Sequence, residues 1–387
     1  MIDDGVEPGF GAGFGVICCF LTGEDEFSSF SHDAPREPNR RRAPPLSHPV
    51  ATTGDAPTPA GAGVLTPAVR QDGPVTLPPY PVPPLDTARR LEWAHLPPWL
   101  RDEIEARCGA PVLGAESIEA GFTPGMATVL TCADGSRHFV KAASHRAQRT
   151  FAASYVVEVR HLRTLPPSAP APALLWVLED PDWIAFSTTH VDATPVERPW
   201  RRVDLEACLD ALATIAETFT PAPRTMDLPT FVSETAAWPQ AWQGLTPPTH
   251  PERRDEAVEL ARRGAELLTG ETLVHGDVRA DNVLLLDDGR AWLCDWNWPA
   301  TGPAWIDSMM LLASAHGDGV DVEEVMASRP LLREAPSEAV DSLLALMAGY
   351  FLRAGCGSVP PNSPHVRDHQ YWTGTVCWLW LAERRRW

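Results

Sequence analysis

Three regimes of hydrophobic and polar patterning follow one another along the chain. Up to about residue 88, apolar positions recur with neither the 3.6-residue period of a helix nor the alternation of a strand, as in Arg40-Arg41-Arg42-Ala43-Pro44-Pro45. Such a stretch buries too little apolar surface to offset its ordering entropy, so residues 1–88 are expected to form a disordered Pro/Gly-rich leader. No Met occurs between Met1 and Met126, so a later, non-Met start codon is an alternative account of this segment. Order is expected from Leu91 through Leu100 into a helix reaching Ile104 and Cys108, a helical lead-in over residues 89–110.

The period then changes to two. Ser117–Ala120, Ala127–Cys132 and Arg137–Ala142 read as short strands, the first pair joined by Gly121–Met126 and the second by the turn Ala133-Asp134-Gly135. A helix from about Arg146 to Leu165 sets Tyr155, Val159 and Leu162 on one face. Strands Ala173–Leu178 and Trp183–Thr188 follow, separated by the turn Glu179–Asp182. Residues 111–191 therefore predict a small lobe built on a five-stranded antiparallel sheet with one long helix. From about Leu205 the third regime is mostly helical, broken by a strand-rich stretch from Leu273 to Trp296. The fold class is α+β, with a helical lobe over residues 192–387.

Composition sharpens this division. With 387 residues, 44% of them hydrophobic, the chain can bury one or two sizeable cores, whereas 15 of its 40 prolines fall within residues 1–88. The apolar patch Gly9–Leu21 is too short to span a bilayer, and it follows Asp3, Asp4 and Glu7 rather than a basic run, so neither a membrane anchor nor secretion is expected. Acidic residues outnumber basic ones 51 to 32, for a net charge of -19, which argues against a nucleic-acid partner. Eight cysteines include no CxxC and no zinc-like spacing, so no disulfide framework or metal site is expected from them, and a cytoplasmic setting is the default. Of 32 basic residues only Lys141 is a lysine, which marks either a position where the guanidinium fork would not serve or a chance survivor of the bias toward arginine.

Candidate chemistry concentrates in the strand-rich stretch. A polar loop, His275-Gly276-Asp277-Val278-Arg279-Ala280-Asp281-Asn282, sits between apolar runs, and Asp295 closes the hairpin after it. Phosphoryl transfer needs a carboxylate to orient or deprotonate the attacking hydroxyl and two oxygen ligands to hold Mg²⁺ against nucleotide phosphates. Asp277, Asn282 and Asp295 supply that set.

The spacing H-G-D-x-x-x-x-N followed by D-W resembles the catalytic signature of the aminoglycoside phosphotransferase and choline kinase-like family, relatives of the protein kinases. The resemblance implies a two-lobed protein-kinase-like fold in which Asp277 is the catalytic base, Arg279 faces the transferred phosphate, His275 supports the loop, and Asn282 and Asp295 bind Mg²⁺. Gly302–Asp307 is similar to the family's G-D-P-x-x-D stretch, with Asp307 bracing the catalytic loop and Pro303 where an Asp is usual. Lys141 at the end of a strand and Glu158 in the next helix match the ion pair that positions nucleotide phosphates. By position, Gly121, Phe122, Thr123 and Gly125 form the phosphate-covering loop. On the same resemblance, Phe186–Val191, including Thr188 and His190, would be the inter-lobe hinge that meets adenine.

These features imply ATP- or GTP-dependent phosphorylation of a small-molecule hydroxyl. The rival readings are a kinase of an ordinary metabolite and a non-catalytic pseudokinase. Trp296, Asn297, Trp298 and Trp305 are candidates for an acceptor pocket, although packing is the commoner use of Trp beside a buried strand. Residues 230–387 carry 22 acidic and 13 basic side chains, a balance suited to a polyamine sugar. Asp318, Asp321, Glu323 and Glu324 read as a solvated helix start, and the segment from Trp372 to Leu379 as a helix packed on the large lobe.

Overall fold

The computed structural model describes residues 81–84 and 89–387, so the expectation of a disordered leader lies outside the described residues apart from Pro81–Pro84. After a short 3₁₀ turn, helix α1 (Pro98–Cys108) opens on Pro98, whose missing N–H would have no partner there anyway, and stops at Gly109 with φ of 89°. Its buried face, Leu100, Ile104 and Cys108, packs on Met126, Leu130, Cys132 and Val140 of the sheet.

That sheet is five-stranded and antiparallel, in the order β1-β2-β3-β5-β4, with β1 Val112–Ser117, β2 Met126–Cys132, β3 Arg137–Ser144, β4 Leu174–Glu179 and β5 Trp183–Thr189. The first strand corrects the sequence expectation, because β1 ends at Ser117 where Ser117–Ala120 was expected to begin. It is an edge strand whose central residues are all exposed, so it carries no alternation to read. Helix α2 (Arg149–Thr164) begins three residues later than expected, because the Ser144 hydroxyl accepts the N–H groups of Arg146 and Ala147 and holds a turn there. It lays Tyr155, Glu158, Val159 and Leu162 against the sheet.

The larger lobe is mostly helical: α3 Arg202–Thr218, α4 Arg254–Leu267, α5 Ile306–Gly317, α6 Ser337–Gly355 and α7 Val366–Arg385 are its main helices. Helices α6 and α7 meet almost backbone to backbone, since a β-carbon on Gly374 would stand 2.5 Å from the Leu352 nitrogen. Trp372, Val376, Trp378 and Leu381 of α7 are buried, the packing expected of this stretch. None of the described helices is long and apolar enough to cross a membrane.

One acidic expectation fails here. Asp318 is not a solvated helix start: its side chain is fully buried, paired with the Arg198 guanidinium and accepting the Trp200 N–H at 2.8 Å. Asp321 does cap a short helix by accepting the Glu324 N–H, while Glu323 accepts from Arg384 and the Trp380 indole.

Five further short strands hold the motif region. Strand β8 (Val283–Leu286) lies between β6 (Ala193–Pro195) and β9 (Ala291–Leu293), and β7 (Thr272–Val274) pairs with β10 (Ala300–Gly302). At three residues each, β6 and β10 are too short to show a period.

Candidate active site

The polar loop His275–Asn282 spans the gap between β7 and β8, and its entry requires the left-handed backbone that Gly276 adopts at φ of 78°. Asp307, at the start of α5, accepts the N–H of His275 at 2.6 Å and of Gly276 at 3.1 Å, the brace expected of it. His275 is fully buried. A carbonyl can only accept, so its Nε2, 2.9 Å from the Cys294 oxygen, carries the proton, and Nδ1 receives the Asp277 N–H at 3.3 Å. With Nε2 donating and Nδ1 accepting, and with burial lowering its pKa, the ring is a neutral strut between two loops.

Asp277 receives Arg279 Nη1 at 2.7 and 2.8 Å on its two oxygens and Asn282 Nδ2 at 3.2 Å. Burial raises its pKa and Arg279 offsets only part of the shift, leaving a carboxylate with increased proton affinity. The other edge of the same guanidinium donates twice to Asp281, at 3.0 Å each, and its carbon lies 5.3 Å from the Phe122 ring centre. Arg279 outweighs the burial of Asp281 and keeps that acid ionised, with a lowered pKa.

Lys141 sits in β3, paired with Phe186 of β5. Its ammonium donates to both oxygens of Glu158 and to Asp295 Oδ1, all at 2.8 Å. Burial by itself lowers its pKa, but Asp295 and Glu158 outweigh it and raise the lysine pKa. Glu158, 3% exposed, is pushed by burial up to about 7 despite Lys141, whereas in Asp295 the lysine prevails over burial and the pKa falls. Asp295 has φ of 67°, a costly conformation for a side chain other than glycine and one that clusters at functional sites. Asn297 pins it, donating from Nδ2 to Asp295 Oδ1 at 2.6 Å while accepting the Ser154 hydroxyl of α2 at 3.1 Å.

The loop between β1 and β2 is held by its carbonyls. Arg90 of the lead-in donates to the oxygens of Ala120 and Thr123, and the Ser363 hydroxyl donates to that of Phe122 at 2.6 Å. The Phe122 ring stands edge-on to His369 of α7, with centroids 5.1 Å apart. Gly121, Phe122 and Thr123 line a cavity of about 600 Å³ that also meets Lys141, Glu158, Asp277, Arg279, Asn282 and Asp295. Gly125 is not among its lining residues. A β-carbon there would meet the Tyr155 hydroxyl at 2.5 Å, so this glycine makes room for a core ring. Thr188 and His190 of the expected hinge line the cavity, with His190 Nε2 3.2 Å from Asp192. Trp296, Trp298 and Trp305 are buried core residues, the first two also touching the cavity wall. His275 lies behind the site and not on it.

The sequence pattern does not single out Arg90, Ser154, Asp281 or Ser363, and it offers Asn297 only as a candidate for an acceptor pocket. Arg90, Ser154 and Ser363 act across long stretches of sequence, so spacing carries no signal for them.

The donor set fits a hard cation. Asn282 commits its amide hydrogens to the Asp277 carbonyl and carboxylate, at 2.9 and 3.2 Å, leaving its oxygen as the remaining ligand atom. Asp295 receives both its neighbours on Oδ1, leaving Oδ2 beside it, and such oxygen donors are those Mg²⁺ selects.

A model of the Phosphotransferase enzyme family matches residues 116–335. Among solved structures, the choline kinase LicA from Streptococcus pneumoniae is similar with a TM-score of 0.50 and 14% identity, over 74% of this chain and 98% of that one. An aminoglycoside phosphotransferase from Alicyclobacillus acidocaldarius gives a TM-score of 0.46 and 17% identity over 71% of this chain and 92% of its own. The aminoglycoside phosphotransferase APH(3'')-Id from Streptomyces rimosus, solved with ADP and streptomycin, gives 0.41 and 17% over 73% and 99%. No curated protein matches the chain.

Proposed function

The chain belongs to the phosphotransferase enzyme family, and from that membership we propose that it transfers the γ-phosphoryl group of ATP or GTP to a hydroxyl of a small molecule. The observation that carries this reading is the convergence of Lys141, Glu158, Asp277, Asn282 and Asp295 on one cavity. A non-catalytic nucleotide-binding module has no reason to keep all five.

In this reading the Lys141 ammonium, fixed between Glu158 and Asp295, presents a compact positive charge to the nucleotide phosphates. Asp277 orients the acceptor hydroxyl and takes its proton as the oxygen bonds to the γ-phosphorus and the bond to the departing nucleoside diphosphate breaks. Its raised proton affinity suits a base of this kind. Arg279, spread between Asp277 and Asp281, exchanges one carboxylate for the transferred group. Asn282 and Asp295 would hold Mg²⁺, which when bound neutralises phosphate charge.

The acceptor we favour is an amine-bearing sugar of aminoglycoside type, because the six carboxylates of Glu116, Glu158, Asp192, Asp277, Asp281 and Asp295 line the cavity against the four cations of Arg90, Arg137, Lys141 and Arg279. Asp318 and Glu323, elsewhere in the large lobe, lend this no support, since neither is among the residues lining the cavity. The setting that goes with this reading is the cytoplasm, where nucleoside triphosphates are supplied and unpaired cysteines persist.

Asp277→Asn and Asp295→Asn, measured in parallel on a panel of aminoglycosides, amino alcohols and sugars, test the assignment. Asp277→Asn is expected to keep Mg-nucleotide affinity while turnover falls by about 10²-fold or more. Asp295→Asn is expected to lose nucleotide affinity in a Mg²⁺-dependent way. An Asp277→Asn protein that phosphorylates a confirmed acceptor at full rate would sink the mechanism.

A further inference from the structure

Away from the cleft, the end of α1 meets the β2–β3 hairpin in a cluster that the proposed reaction does not use. Cys108 closes α1, Cys132 closes β2, and His138 is the second residue of β3. Their two sulfurs and one imidazole nitrogen lie within 4.8 Å of one another, the single such group of His, Cys, Asp or Glu among the described residues. Both cysteines are buried free thiols.

The histidine is oriented from outside. Ser136 has one hydroxyl hydrogen, and it donates this to Asp134 Oδ1 at 2.7 Å, with the Ser136 N–H reaching the same oxygen at 2.9 Å. The Ser136 oxygen must therefore accept from His138 Nε2, 3.1 Å away. That fixes the proton on Nε2 and leaves Nδ1 as a bare lone pair, buried and without a hydrogen-bond partner. A buried acceptor with nothing to accept is costly and calls for an occupant. A ring nitrogen whose opposite N–H is tied to a carboxylate-anchored hydroxyl has the arrangement of a metal-bound histidine.

We propose that Cys108, Cys132 and His138 form a binding site for a thiophilic divalent cation, zinc in particular, with the fourth tetrahedral position left to water. Two sulfurs and an imidazole suit zinc and not the hard Mg²⁺ of the catalytic cleft. As the two sulfur–metal bonds form, both thiols release their protons to solvent, and no oxidation or reduction takes place. The ion would fasten α1 to the hairpin beneath it. Linear spacing conceals the site, since the hairpin brings Cys132 and His138 together and the third ligand comes from the preceding helix.

The test uses the full chain, stripped of metal by chelation and titrated with Co²⁺. We expect one ion per chain, with the sulfur-to-cobalt charge-transfer band and visible bands of a tetrahedral thiolate site. Zn²⁺ should abolish these bands and raise Tm. Cys108→Ser and Cys132→Ser should lose the charge-transfer band and the Tm response, whereas Cys356→Ser, at an exposed cysteine, should keep both. Ser136→Ala should bind Zn²⁺ roughly tenfold more weakly with its spectrum unchanged. If either cysteine variant fails to fold by circular dichroism, His138→Gln supplies the same comparison. A wild type without the thiolate band, a band that survives both cysteine changes, or a Cys108–Cys132 disulfide as the resting state would each overturn the proposal.

Discussion

At the scale of single residues, Lys141 has the least freedom to change. Its nitrogen makes three contacts of 2.8 Å, to Glu158 twice and to Asp295, with the Tyr155 and Phe186 rings 5.5 and 5.9 Å from it. A guanidinium keeps the charge, yet its planar fork is larger than an ammonium and cannot take three acceptors around one atom. If Lys141 positions nucleotide phosphates as proposed, Lys141→Arg is expected to lower kcat/KM by about 10²-fold, the cost of a misplacement near 1 Å. Steady-state kinetics on a confirmed acceptor check this, and an Arg variant with full activity would remove Lys141 from the site. The sequence exposed this residue by its rarity and exposed Asp277, Asn282 and Asp295 by spacing, because they lie on one short loop and the hairpin after it. Asn297 and Ser154 form their bond to each other 143 positions apart, and no local pattern records it.

Elements explain what single residues cannot. Strands β2, β3 and β5 were legible as short apolar runs bounded by turns, β2 and β5 being buried almost throughout, while β1 was misplaced because an exposed edge strand leaves no such run or alternation. Helix α7 reads as a packing helix, yet it also reaches the cleft, through His369 against Phe122. This histidine is 8% exposed, and burial takes its pKa from an ordinary 6.5 down to about 4. Asp281 and the Pro83 carbonyl oppose the shift, whereas Arg279 and Arg198 add to it. Between those two values the unfolded chain binds the proton that the folded chain refuses, so stability rises with pH and is lost as pH falls from about 6.5 toward 4. For this group alone the loss from pH 7.5 to 5 amounts to about 2 kcal/mol. Thermal unfolding across that range should show Tm falling toward acid, and His369→Gln should flatten the fall. The flattening should be partial, since burial depresses His161 and His275 in the same direction. An identical slope in the variant would refute the assignment to His369.

For the molecule as a whole, the lead-in is the part whose role the sequence understated. It was expected to be a helix ahead of the small lobe, and α1 is that helix. The segment before it also ties parts of the molecule together: the Arg89 N–H meets the Asn362 carbonyl at 2.9 Å, and Arg90 gathers the carbonyls of the β1–β2 loop, that of Thr123 at 2.8 Å. Asn362 and Ser363 belong to the large lobe and bound the same cavity, so one short strap fixes the loop over the cleft from both sides. Two truncations separate this strap from the proline-rich segment ahead of it. Removing residues 2–80 keeps the Pro83 carbonyl, Arg89 and Arg90, and the aperiodic composition of what is lost offers little apolar burial to forfeit. Tm and nucleotide affinity should stay nearly unchanged, and a fall in Tm beyond about 4 °C would show that the leader packs on the fold. Removing residues 2–92 deletes Arg90 and leaves the carbonyls of Ala120 and Thr123 without their donor. Tm should then fall, and nucleotide should bind more weakly, as the loop that lines the cavity loses its tether. Arg90→Ala in the full chain should reproduce the loss of affinity without any change in chain length. If the longer truncation and Arg90→Ala both bind nucleotide as the wild type does, the loop is held well enough by Ser363 and Gln148, which donate to Phe122 and Pro124 at 2.6 and 2.9 Å, and the strap has no part in nucleotide binding.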